Sequence, residues 1–153
     1  MSGKLNISRG DPRDPAATRL LDASHALMQS LYCAEACHVL SIDALCVPEV
    51  RFFVAKFNGE TVGCCALAIK DGYGEVKSMY VDKAARGAGV ADRLLATVVG
   101  EAQLLKLPLL RLETGEKLTA ALRLYQRAGF NRRGAYGDYD EDPSCLFMEK
   151  RLA

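Results

Sequence analysis

The residues Arg86 to Ala91, read as RGAGVA, put two glycines between a strand-like stretch and a long amphipathic one. Glycine lets the backbone turn tightly and leaves its N–H groups open to a ligand, with no Cβ in the way. The first N–H groups of a helix lack an intrahelical partner, and the helix dipole favours negative charge at that end. Together these features make a cradle for an anion such as a pyrophosphate. A dinucleotide-binding G-x-G-x-x-G would need a third small residue where Asp92 stands, and a Walker loop needs a lysine that does not follow. What remains is an R-x-x-G-x-A anion loop or an ordinary tight strand-to-helix turn. Just upstream, Glu75 offers a carboxylate that could take a proton, or that could pair on a strand surface with Lys77 or Lys70.

These residues must be positioned by regular elements, and the patterning supplies them. Glu75 to Val81 reads as a strand with Glu75, Lys77, Met79 and Val81 on one face. From Val90, the residues Ala91, Leu94, Leu95, Val98, Val99, Ala102 and Leu105 recur at helical spacing. Upstream, Lys4 to Arg9 alternates as a first strand. Pro15 then suits the first turn of a helix that runs to about Tyr32, with Leu20, Leu21, Ala23, Leu27, Met28 and Leu31 available for burial. Ser41 is placed to cap a short helix over Ile42–Leu45 that Pro48 terminates. Arg51–Phe57, Asn58-Gly59 and Glu60–Ile69 form a hairpin signal, and Lys70–Gly74 turns into the Glu75 strand, so three antiparallel strands follow one another. Leu107-Pro108 ends the long helix and Leu109–Glu113 is the next strand, which a right-handed crossover makes parallel to the Glu75 strand. Thr119–Ala128 is a further helix closed by Gly129 in a Schellman ending. Asn131–Tyr136 and Cys145–Lys150 supply the last strands, around an acidic loop at 137–144.

Length and composition bound the function. A chain of 153 residues makes one domain, 1–153, and half its residues are apolar. The net charge of +1 gives no bulk attraction to nucleic acid or to an anionic membrane, so neither is expected as a partner. No apolar run reaches the length of a bilayer span and the N-terminus has no signal-peptide core, so a cytoplasmic protein is expected. The six cysteines read as reduced thiols packed as small hydrophobes. Cys33, Cys37 and His38 have poor spacing for a metal site, and no metal is expected.

Three stretches, EVKSMYV before RGAGVA, LRLET at Leu110–Thr114, and ALRLYQRAGF at Ala121–Phe130, resemble in order and separation the motifs of the GNAT N-acetyltransferases. The resemblance covers nearly the whole chain. It implies a mixed α/β (α+β) fold, mainly antiparallel, with a central splayed parallel strand pair flanked by helices. It also implies an acetyl-coenzyme A-dependent N-acetyltransferase. The acetyl group would pass directly, in a ternary complex, to a primary amine of a small molecule or to a protein amino group. A second reading is a module of the same fold that binds coenzyme A or an acyl derivative without catalysis. Family members often pair through their C-terminal strands, which implies a homodimer.

Residue by residue, the resemblance implies that Met79, Tyr80 and Val81 pair through their backbone with the pantetheine arm of coenzyme A. It gives Arg86, Gly87, Ala88, Gly89, Val90 and Ala91 to the pyrophosphate, and brings Tyr125 to the thioester sulfur. A tyrosine stays protonated at neutral pH, so Tyr125 can donate to a departing thiolate. Glu75 stands where a branch of the family places a general base. Glu35 and His38 border the acceptor pocket, and Asp138 and Tyr139 in the acidic loop are further acceptor candidates. Leu118 stands where many members carry a cofactor-contacting Asn, and Arg123, Arg127, Arg132 and Arg133 could meet the cofactor's 3′-phosphate.

Overall fold

A computed structural model describes residues 3–33 and 39–152. Strand β1 is Leu5–Arg9 and helix α1 is Pro15–Leu31, its start fixed by Pro15 and by the Asp14 carboxylate, which accepts from the Ala16 N–H. Helix α2, Ile42–Leu45, is capped by Ser41, whose hydroxyl accepts from the Ala44 N–H. Strands β2 (Val50–Phe57), β3 (Glu60–Lys70) and β4 (Tyr73–Val81) form the expected meander, with Asn58 and Gly59 both at positive φ in the first turn. Helix α3 spans Val90–Leu104, β5 Leu109–Gly115, α4 Thr119–Arg127, β6 Asn131–Arg133 and β7 Cys145–Arg151.

The seven strands lie in one sheet of order β1-β2-β3-β4-β5-β7-β6, and β4–β5 is its parallel pair. Helices α3 and α4 cover one face: Leu94, Leu95, Val98, Leu124 and Tyr125 pack there with Val76, Leu112 and Met148. Helices α1 and α2 cover the first half of the other face through Ala17, Leu20, Leu21 and Leu45. The second half of that face carries a small aromatic cluster of Tyr136, Phe147, Tyr73 and Tyr139. Helix α4 closes as read from the sequence: Gly129 has φ 96°, the Phe130 N–H donates to Tyr125 O and the Gly129 N–H to Gln126 O.

Three expectations are corrected. Glu75, Lys77, Met79 and Val81 do not share a face. Ser78 adopts φ 56°, and the pairing with β3 slips between Cys64 and Ala66, a bulge that reverses the alternation. Glu75 and Lys77 therefore point to the side of α1, whereas Met79 and Val81 join Val76 under α3. The stripe of α1 also shifts: Ala23 and Leu27 are exposed, and Ser24, His25 and Met28 continue the inward face from Leu21. Strand β6 stops at Arg133 because the next residues turn away, the Ala135 N–H donating to the Glu141 carboxylate at 2.5 Å.

Candidate active site

The site is made by a defect in the sheet. Strands β4 and β5 pair at Gly74–Leu110, Glu75–Arg111 and Val76–Leu112, and no pairing continues beyond. From Lys77 onward they diverge into a cleft. Leu21, Ser24, His25 and Met28 of α1 wall one side; Leu118, Ala121 and Tyr125 wall the other; Lys77, Ser78, Met79, Glu113 and Thr114 line the gap. The bulge lies beside this gap, where the Cys64 thiol donates to Ser78 O at 3.3 Å. The β4 edge at Met79, Tyr80 and Val81 thus faces the gap with no strand paired to it among the described residues, which suits an extended ligand adding as a strand.

One end of this edge leads to the glycine loop. Gly87 and Gly89 have φ 87° and 78°, and a Cβ at either would meet nothing within 4 Å, so the need for glycine there is conformational and the space above it is open. Gly89 is the N-cap of α3 and offers no side chain to its first N–H groups. The sequence thus builds an uncapped helix end with room for an anion, with Ala88 exposed in the loop and Val90 anchoring the helix in the core. Arg86 is held at this end by its Nε donating to Val81 O at 3.1 Å, its guanidinium 5.6 Å from the centre of the Tyr80 ring. Asp92 in the first turn of α3 would repel an anion, but Arg127 clamps both its oxygens at 2.8 and 3.0 Å and holds its carboxyl below the usual range. Of the four arginines, Arg127 is bound to Asp92 and Arg133 bonds to Glu149 at 2.6 Å.

Tyr125 reaches the cleft from α4 with its ring edge-on to Phe130 and is buried to 6% exposure. Burial, and then the nearby Cys65 and Glu113, push its pKa well up, so it stays protonated across the accessible pH range. On the other face, Glu75 is 5% exposed and accepts from the Tyr136 hydroxyl at 2.8 Å and the Tyr139 hydroxyl at 2.6 Å on the same oxygen. Lys77 donates to the Tyr139 oxygen at 2.8 Å, its Nζ 3.9 Å from that glutamate oxygen. Burial holds Lys77 below the usual lysine range against the opposing pull of Glu75 and Glu113. Burial first, then Glu75, pushes the Tyr136 hydroxyl up, and burial first, then the hydrogen bond to Glu75, does the same to Tyr139.

Of the acceptor candidates, Tyr139 joins this network, whereas Asp138 is exposed and reaches it only as a distant charge on Tyr73. Glu35 and His38 lie outside the described residues. Leu118 lines the cleft directly, and the Lys117 N–H beside it donates to the Tyr32 hydroxyl at 2.9 Å, pinning the end of α1 to the start of α4. Among the described residues no group of three His, Cys, Asp or Glu could hold a metal, and no helix is long and apolar enough to cross a membrane.

Sequence reasoning missed Tyr136, His25, Ser24 and Glu113. The period-two pattern of LRLET places Glu113 two residues from Arg111 on the face of Glu75, a signal that was present. Nothing local marks Tyr136, which reaches Glu75 across 61 residues.

Residues 48–132 match the Acetyltransferase (GNAT) domain. An IAA acetyltransferase of Azospirillum brasilense is 41% identical over 150 residues, 97% of this chain and 98% of that protein. Among solved structures, one provisionally named an acyl-CoA N-acyltransferase from Klebsiella pneumoniae superposes with a TM-score of 0.83 at 32% identity, covering 97% of this chain and 98% of that one. The PaiA N-acetyltransferase of Thermoplasma acidophilum, in complex with coenzyme A, has the same fold at a TM-score of 0.74 and 15% identity, covering 97% and 99%. A splayed parallel pair with a glycine loop at its end, a family match over more than half the residues and a near-full-length relative lead to one conclusion: this chain belongs to the GNAT N-acetyltransferases.

Proposed function

We propose that the β4–β5 cleft binds acetyl-coenzyme A as co-substrate and passes the acetyl group directly to an amine held on the α1 side. The observation that carries this reading is the continuity of three features: the unpaired β4 edge, the open Gly87–Gly89 cradle at its end, and Tyr125 within the cleft. The pantetheine arm would pair along Met79–Val81 and the pyrophosphate would sit on the N-terminus of α3, where Arg86 adds charge. The neutral amine attacks the thioester carbon as the C–S bond breaks; the thiolate takes the Tyr125 proton, and the proton the nitrogen loses on becoming an amide restores the tyrosine. Glu75 is the proton sink on the acceptor side. It acts through intervening groups, because its own carboxylate oxygen is already occupied by two tyrosine hydroxyls and it does not line the cleft.

The acceptor is a small-molecule or protein amine. Glu75 and Glu113 against Lys77 leave the acceptor side acidic, which favours a cationic ammonium. The relative's name makes IAA a further compound to assay. A homodimer through the C-terminal strands is part of this proposal, and light scattering tests it.

Calorimetric titration with acetyl-coenzyme A, beside Gly89→Glu, tests the reading. Micromolar binding abolished by the substitution supports the cradle, and thiol release on adding amines distinguishes an enzyme from a binding module. Absence of binding to the wild type sinks the reading.

A further inference from the structure

The acetyl-transfer reading, on which this inference rests, gives the thioester sulfur a partner in Tyr125 and leaves the thioester oxygen without one. As an amine attacks, negative charge builds on that oxygen before it passes to the sulfur, so a donor aimed at the oxygen would lower the barrier. The register of the parallel pair marks the place. Pairing ends at Val76–Leu112, and two residues further along the two strands stand Ser78 and Thr114, at the closed end of the fork. Both line the cleft. The glycine loop follows the end of β4 and so lies at the fork's open end. A ligand whose phosphates rest on that loop brings its other end, the thioester, to the closed end.

Thr114 has the features of such a donor. Side chains alternate along β5, so Thr114 shares a face with Leu112, which packs in the same core cluster as Tyr125. It is 5% exposed, and its backbone is fixed by pairing with β7, where it stands opposite Leu146. Its hydroxyl has no hydrogen-bond partner among the described residues. Among those residues, Arg51 Nε is the side-chain nitrogen or oxygen that is both sealed from solvent and unpartnered. The Thr114 hydroxyl is therefore open to the cleft it lines. A branched Cβ restricts its χ1, so the hydroxyl is held before a ligand arrives. Ser24 and Ser78 line the cleft too, but they are half-buried and water can satisfy them. Lys77 is turned to the α1 side, where it donates to Tyr139.

We propose that the Thr114 hydroxyl is the oxyanion donor of the acetyl transfer, holding the thioester oxygen while the Tyr125 hydroxyl serves the sulfur. As the nitrogen–carbon bond forms, the carbonyl electron pair shifts onto the oxygen, to which Thr114 donates; the pair returns as the C–S bond breaks. Threonine neither gives nor takes a proton in this step. The thiolate still takes the Tyr125 proton, and the proton lost by the nitrogen still restores the tyrosine. Two hydroxyls on the α4 side of the cleft thus divide the two sites of developing charge between them. Because the Thr114 hydrogen bond strengthens as the oxygen gains charge, its effect falls on turnover more than on binding.

The test compares the wild type with Thr114→Val, which removes the hydroxyl and keeps the branched shape, and with Thr114→Ser, which keeps the hydroxyl, all in the whole chain. Infrared spectra of bound acetyl-coenzyme A, isotopically labelled at the acetyl carbonyl, read the contact without any acceptor. A hydrogen bond lowers the thioester stretch. The band should lie below its solution position in the wild type and in Thr114→Ser, and return toward it in Thr114→Val. Thiol release with benzylamine reads the transfer itself. Thr114→Val should lose on the order of 100-fold in kcat, with acetyl-coenzyme A affinity, melting temperature and the shape of the pH profile nearly unchanged. Thr114→Ser should keep most of the activity. A band that stays in place in Thr114→Val overturns the assignment. So does wild-type turnover in Thr114→Val, a loss that falls on affinity instead of kcat, or an equal loss in Thr114→Ser. The band decides even where benzylamine is a poor acceptor. Failure of the wild type itself to bind acetyl-coenzyme A is a different result, which ends the transferase reading.

Discussion

Tyr125 and Lys77 both line the cleft, and burial acts on them in opposite senses. It keeps the tyrosine neutral and protonated, and it pulls the lysine toward its own neutral form. Tyr125→Phe removes only the hydroxyl from a ring that packs on Phe130. It should leave acetyl-coenzyme A affinity and melting temperature nearly unchanged while kcat falls roughly 100-fold or more, read as thiol release. Equal loss of affinity and turnover would instead assign Tyr125 to ground-state binding.

A tight connection joins the end of α1 to the start of α4. Tyr32, at the end of α1, lies against Gly115 so closely that a Cβ on that glycine would overlap its hydroxyl and ring. The same hydroxyl holds the Lys117 N–H, and the Lys117 ammonium caps Leu31 O at 3.2 Å. Gly115→Ala should therefore cost about 1–3 kcal/mol, seen as a lower melting temperature. In a Tyr32→Ala background the cost should shrink, because the overlapping ring is gone. Equal costs in both backgrounds would mean that the backbone of β5, not the ring, resists the methyl. The bulge in β4 is an element-level device of another kind: nothing in the type of Ser78 announces its positive φ.

Across the molecule, the second half of the sheet is held by charge as well as by apolar packing. Glu149 on β7 sits opposite Arg111 on β5 and bonds to it at 2.8 Å, and it also takes Arg133 of β6. Arg111 further lies 4.6 Å from the centre of the Tyr73 ring, tying this network to β4. The Arg111 hydrogen bond, then that of Arg133, holds the Glu149 carboxyl below its ordinary value, against burial. Because the folded-state pKa is depressed, the stabilisation is fully present above the unfolded carboxylate value and is lost as pH falls through the lower folded one. Glu149→Gln should cost about 2 kcal/mol near neutral pH, and its stability should fall less steeply than that of the wild type as acid is added. Urea midpoints across that range measure both. Parallel curves would show that Glu149 titrates alike in the two states.

Much of the site could be read from the sequence because its signals are local. RGAGVA after a strand needs only glycine's freedom at positive φ and the unsatisfied end of a helix, and both are found at Gly87, Gly89 and Val90. The hairpin at Asn58-Gly59, the Schellman ending at Gly129 and the parallel β4–β5 unit rest on equally short-range rules. The tertiary structure decided what depends on contacts between distant segments. A bulge, set by pairing with β3 and not by the identity of Ser78, separated Glu75 and Lys77 from Met79 and Val81. The fold brought Tyr136 and Tyr139, more than sixty residues away, onto one oxygen of Glu75. It also put Lys77, rather than the glutamate, in the cleft wall. A carboxylate's type and strand position determine that it can take a proton, but what encloses it, and so what reaches it, is a property of the packed sheet.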